Sequence, residues 1–133
     1  MRMWLSISMA LVVLAATPSG ADDAATKRDR QGPVTVTVTL LESSPSGIKA
    51  KVALDTHSGS LDGIVLQQAM SLRGMSGADV APAAVEQVTG GGHHRQAVVV
   101  FPPAPGAKEV RLVVKNVGGI AERIFGWNLP LAR

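Results

Sequence analysis

The segment Pro33 to Leu41, PVTVTVTLL, leaves this chain few ways to fold. Val34, Val36, Val38 and Leu40 alternate with Thr35, Thr37 and Thr39, a period of two built almost wholly from β-branched residues. Such side chains crowd a helix and suit a pleated surface, so the segment reads as a strand with one apolar face. An apolar face needs a second layer to cover it. A turn cluster, Ser43-Ser44-Pro45-Ser46-Gly47, comes next. Ile48 to Leu54 then alternates again, with Ile48, Ala50, Val52 and Leu54 on one face. The two segments predict a hairpin.

The rest of the chain repeats the theme. Asp55–Gly63 is polar and reads as a loop, Gln68–Arg73 as a strand, Gly74–Pro82 as a loop and Ala84–Thr89 as a weak strand. Gln96–Phe101 (QAVVVF) is nearly continuous in apolar residues, as expected of a central strand covered on both faces. Pro102-Pro103-Ala104-Pro105-Gly106 forces a turn. Val110–Lys115 places Val110, Leu112 and Val114 together, and Ile120–Leu129 closes the domain with Phe125 and Trp127 sharing a face. About seven strands at turn spacings of eight to twelve residues predict an all-β fold, an immunoglobulin-like antiparallel β-sandwich. Val98, Val100, Leu112 and Trp127 are the expected core, and Pro33–Leu41 is the expected free edge.

Ahead of this domain, Arg2 precedes the apolar run Trp4–Ala16, and Pro18-Ser19-Gly20-Ala21 fits a small-residue cleavage site. Residues 1–21 therefore read as a secretory signal peptide, too short for a comfortable membrane span, and the mature chain begins at Asp22. Residues 22–32 are polar and aperiodic and read as a flexible lead-in, with the folded domain spanning 33–133. The expected destination is periplasmic or secreted, with no membrane association after signal cleavage. The absence of cysteine excludes disulfides and thiolate metal sites. A net charge of +3 is scattered, tyrosine is absent and aromatic residues make up 3% of the chain, which argues against nucleic-acid binding.

Chemistry is concentrated in three histidines, His57, His93 and His94. If successive strands run antiparallel, the loop at 55–63 and the Gly90-Gly91-Gly92 turn fall at the same end of the sandwich. Asp55, Asp62, Glu122 and Arg123 fall there too, and Arg123 could pair with Asp55 across the loops. Imidazoles with a carboxylate suit copper or zinc. His57, His93 and His94 are the candidate ligands, with Asp55 as a further ligand or as the group that orients one of them. The competing reading is a structural or protein-interaction sandwich whose histidines tie their own loops together. Asp55, His57 and Ser58 lie too close in sequence for a catalytic relay, so the chain is expected to be non-enzymatic.

Two resemblances follow from these residues. LDTHSGSLD, then GGGHHR before a strand ending in VFP, then ERIFGW, resembles a pattern of small secreted bacterial β-sandwich proteins. The likeness implies a domain boundary and no activity. The order His57, Met70, His93 is loosely similar to the ligand pattern of periplasmic copper chaperones, but Arg95 stands where that family has methionine. Met70 therefore reads as core, and Met75 as belonging to the opposite end.

Overall fold

The computed structural model describes residues 24–131, so the signal-peptide reading of 1–21 lies outside the described residues. In chain order the elements are β1 (Thr26–Asp29), β2 (Val34–Ser44), β3 (Gly47–Thr56), α1 (Leu66–Ala69), β4 (Met70–Arg73), β5 (Asp79–Val80), β6 (Ala84–Gly91), β7 (His94–Phe101), β8 (Glu109–Val117) and β9 (Ile120–Asn128). They form a sandwich of two sheets, β1-β2-β3-β7-β6 and β5-β4-β8-β9, and every neighbouring pair is antiparallel. Among the described residues no helix is long and apolar enough to cross a membrane.

Alternation becomes burial as expected in most strands. Val34, Val36, Val38 and Leu40 of β2 and Ile48, Ala50, Val52 and Leu54 of β3 are buried, opposed by Val110, Leu112 and Val114 of β8 and Phe125 and Trp127 of β9. Met70 is core at 2% exposure. The two-leucine step at Leu40-Leu41 breaks the β2 alternation. The register shifts between Leu40 and Glu42, and Leu41 is squeezed out to half exposure. An extra residue in one strand produces this bulge.

Four expectations change. Seven expected strands become nine among the described residues, because β1 and β5 join them. β1 arises inside the expected lead-in and pairs with β2 from Thr26↔Thr39 to Asp29↔Val36, so Pro33–Leu41 is an inner strand and not a free edge. The expected strand Gln68–Arg73 is shorter: one helical turn occupies Leu66–Ala69 and β4 begins at Met70. The faces of β7 are also reversed. Ala97, Val99 and Phe101 are buried, while Val98 and Val100 are half-buried on the outer face opposite Lys51 and Lys49. A continuous apolar run carries no phase of its own, so pairing with β3 sets it.

Arg123 fastens the two sheets. It projects inward from β9 at 1% exposure. Its Nη1 donates to the Val34 carbonyl at 2.9 Å and to Asp29 Oδ1 at 3.2 Å, and its Nη2 donates to the Val117 carbonyl at 3.0 Å. The expected Arg123–Asp55 pair is therefore replaced by a buried contact with β1 and β2. Gly118 makes room for it: at φ +62°, a Cβ there would stand 2.9 Å from the Val34 side chain and 3.2 Å from Arg123 Nη2.

Candidate functional site

The histidine-bearing end forms where β3 leaves its sheet and the β6–β7 hairpin turns. Thr56 is the last residue of β3 and faces inward, buried. Its hydroxyl lies 3.0 Å from the Pro33 carbonyl and 2.7 Å from that of Ser58. Its N–H donates to the His93 carbonyl at 2.9 Å. The loop then folds back on the hairpin: Leu61 N–H donates to the Gly92 carbonyl at 2.8 Å, and Gly92 N–H donates to Asp62 Oδ1 at 2.8 Å. Arg95 Nη1 donates to the carbonyls of Leu61 and Ile64 at 3.0 and 2.7 Å. Leu61, 1% exposed, anchors the loop in the core. The Gly92 N–H, with help from Ser60 and Arg95, holds the Asp62 carboxyl below its ordinary range.

The histidines sit on this frame. Asp55 and His94 are register partners on the outer face of β3 and β7, and Asp55 Oδ1 meets His94 Nδ1 in a hydrogen bond. Both side chains are about half exposed. A carboxylate on Nδ1 fixes the imidazole orientation and leaves Nε2 for another partner. His57 and His93 are exposed at the same end. The structure thus brings Asp55 and His94 into contact, with His57 and His93 nearby. Among the described residues no group of three or more His, Asp or Glu side chains is close enough to hold a metal ion. The Asp55 carboxylate engages His94, and Ser58 contributes backbone bonds to the Thr56 hydroxyl.

The opposite end has a different character. The β2–β3 turn, the Pro102–Ala107 turn and the segment after β9 enclose an open groove of about 820 Å³. Leu41, Pro45, Pro103, Pro105, Leu129 and Leu131 dominate its walls. Glu42 at its rim accepts the Ser44 hydroxyl at 2.8 Å and lies 3.9 Å from Lys49 Nζ. The volume is that of a small-ligand or side-chain pocket. The turn chemistry was visible in the sequence, but the concavity depends on three segments distant in the chain and on the Leu41 bulge.

Charge collects on the outer face of the smaller sheet. Arg73 donates to Asp79 at 2.8 and 3.1 Å and to Glu122 at 3.1 and 2.8 Å, and Lys115 contacts Asp79. The bonds from Arg73, joined at Asp79 by Lys115, hold Asp79 well below and Glu122 below the usual carboxylate range. Each partner comes from a different strand, so the network ties β4, β5, β8 and β9 together. Sequence reasoning placed Glu122 at the histidine end and missed this pairing. It also missed the buried Arg123, although the alternation of Phe125 and Trp127 puts residue 123 on the same inward face. Comparison with protein-family models, curated proteins and solved structures found no match to this chain.

Proposed function

We propose that this chain is an exported, non-enzymatic binding domain of immunoglobulin-like build that works through contacts with another protein at its proline-lined end. The strand order supports the immunoglobulin-like part. Leaving out β1 and β5, β2-β3-β7-β6 faces β4-β8-β9, the arrangement of four strands against three in constant-type immunoglobulin domains. The apolar run and small-residue site in residues 1–21 support export to the periplasm or beyond. An intact mass beginning near Asp22 checks that step; a mature protein retaining Trp4 refutes it.

The observation that carries the binding reading is the groove of about 820 Å³ walled by leucine and proline. Concave, mostly apolar clefts of this size with a few polar groups are where proteins bury apolar groups brought by whatever binds them. The test uses anilinonaphthalene sulfonate as an apolar probe with the folded domain. Saturable fluorescence enhancement that is lost in Leu41→Glu and Leu131→Glu and kept in His57→Ala supports the groove. No enhancement, or enhancement unchanged in both groove variants, refutes it.

One observation favours a second reading, a copper or zinc ion at the histidine end. Asp55 already holds His94 through Nδ1, the carboxylate–imidazole arrangement that supports metal ligands. His57 and His93 would complete the set by a rearrangement of exposed side chains. Metal bound only to the folded state stabilises it by about 2.7 kcal/mol at a hundredfold excess over the dissociation constant. A melt of the tag-free domain near pH 7.5 with Cu(II) or Zn(II) should then rise by several degrees, and His57→Ala and His94→Ala should each abolish the rise. An unchanged melting temperature with both ions removes this reading.

A further inference from the structure

Four strands end the two sheets, and three are poor templates for pairing. β1 has four residues and β5 has two. β6 carries a register shift between Glu86 and Thr89, with Gln87 at φ +50°. Short strands and bulges are devices that keep an edge from pairing with another chain. β9 has neither device. It spans nine residues, pairs with β8 without interruption from Glu122 to Asn128, and has no ladder partner on its other side among the described residues. It contains no proline or lysine, and its two charged residues are already engaged, Arg123 in the core and Glu122 with Arg73. β1 belongs to the other sheet: its Asp29 accepts from the inward Arg123, and the Ala25 carbonyl just before it accepts from Trp127 Nε1.

The outer face of β9 shows what would fit. Ser71, Val113 and Ile124 stand in one row across β4, β8 and β9. Ser71 and Val113 are buried although they lie on the outer face, while Ile124 ends the row 54% exposed. Two residues along, Gly126 has no side chain, and the Glu109–Arg111 ion pair of β8 lies beside it; a Cβ at Gly126 would stand 3.6 Å from Glu109 Oε1 and 3.8 Å from Arg111 Cγ. We propose that β9 pairs antiparallel with β9 of a second copy, about a two-fold axis at Ile124, joining two four-stranded sheets into one of eight.

That register is selected by apolar contact and by the space at Gly126. Ile124 meets the partner's Ile124, so the exposed end of each row is covered by the other. Glu122, still bonded to Arg73, falls opposite the partner's side-chain-free Gly126, where the partner's Glu109–Arg111 ion pair lies, and the same contact repeats by symmetry. A two-fold interface must be complementary to itself, and Ile124 on the axis with each Glu122 facing a side-chain-free Gly126 meets that condition.

The test is the mass of the mature domain, residues 22–133, by light scattering after size exclusion. At a loading of about 100 µM, a contact with a dissociation constant on the order of 10 µM leaves most of the protein dimeric. Ile124→Lys sets two ammonium groups face to face and should weaken association at least about tenfold, while melting of the dilute protein stays unchanged. Ile124→Cys should form a disulfide-linked dimer on mild oxidation, whereas Thr37→Cys, on the other sheet, should not. A monomer at about 100 µM overturns the proposal, as does a dimer unaffected by Ile124→Lys or equal cross-linking at both cysteine positions.

Discussion

The two ends of the sandwich are built from opposite backbone chemistries. The histidine end is rich in glycine, which lets chains approach closely and leaves an N–H at almost every position. Gly92 N–H meets Asp62, and Leu61 N–H meets Gly92. The other end is rich in proline, which has no N–H to offer. The Pro102–Ala107 turn closes on itself through Ala107 N–H to the Ala104 carbonyl at 3.1 Å, and no hydrogen bond joins it to the β2–β3 turn among the described residues. Loops that can be stitched together close one end. Loops that cannot stay apart, and the gap between them is the groove.

β7 joins the two ends, from His94 at one to Phe101 at the other, so its facing underlies the comparison. Val99→Asp should abolish folding, since an unpaired carboxylate in a fully buried site costs several kcal/mol against about 5–15 of total stability. Val100→Asp, half-buried on the outer face opposite Lys49, should leave a folded domain. Circular dichroism of the pair decides, and equal loss in both would show that the facing is wrong.

Arg123 supplies the next largest effect. Arg123→Met leaves the carbonyls of Val34 and Val117 and the Asp29 carboxylate without their donor, and should cost about 3–5 kcal/mol in urea denaturation. Trp127, the only tryptophan after residue 4, reports the transition by fluorescence.

The glycine–proline contrast itself is tested by one substitution at each end. Gly90 lies at φ +79°, where a Cβ would collide with the His94 carbonyl oxygen, so Gly90→Ala should cost about 1–3 kcal/mol. Pro103→Ala frees only the unfolded chain and should cost about 0.4–1 kcal/mol. Comparable losses at both ends would break the comparison.

The smallest effect is acid sensitivity at the stitched end. Asp62 is held below its ordinary value chiefly by the Gly92 N–H. A carboxyl with a depressed folded-state pKa adds stability above its unfolded value of 3.8 and loses it as pH falls through the lower folded value. Melting temperature should therefore stay flat from about pH 7 to 5 and fall below about 4, with a shallower fall in Asp62→Asn. An unchanged slope in that variant would remove Asp62 from the stitching.

Where neighbours in sequence alternate, local chemistry fixes the outcome, so the chain alone determined its all-β class and the inward faces of β2, β3, β8 and β9. Each side-chain step switches face, and burial of one face settles the rest. The antiparallel order of the elements likewise placed His57 with His93 and His94 at one end. Only the tertiary structure decided which valines of β7 face inward, because a continuous apolar run has no phase until a partner strand supplies one. It also decided that Asp55 meets His94 while Arg123 is buried against Val34 and Asp29, and that Leu41 lines a groove. Those outcomes depend on segments up to 94 residues apart, as Arg123 and Asp29 are, and on a register shift set by strand pairing.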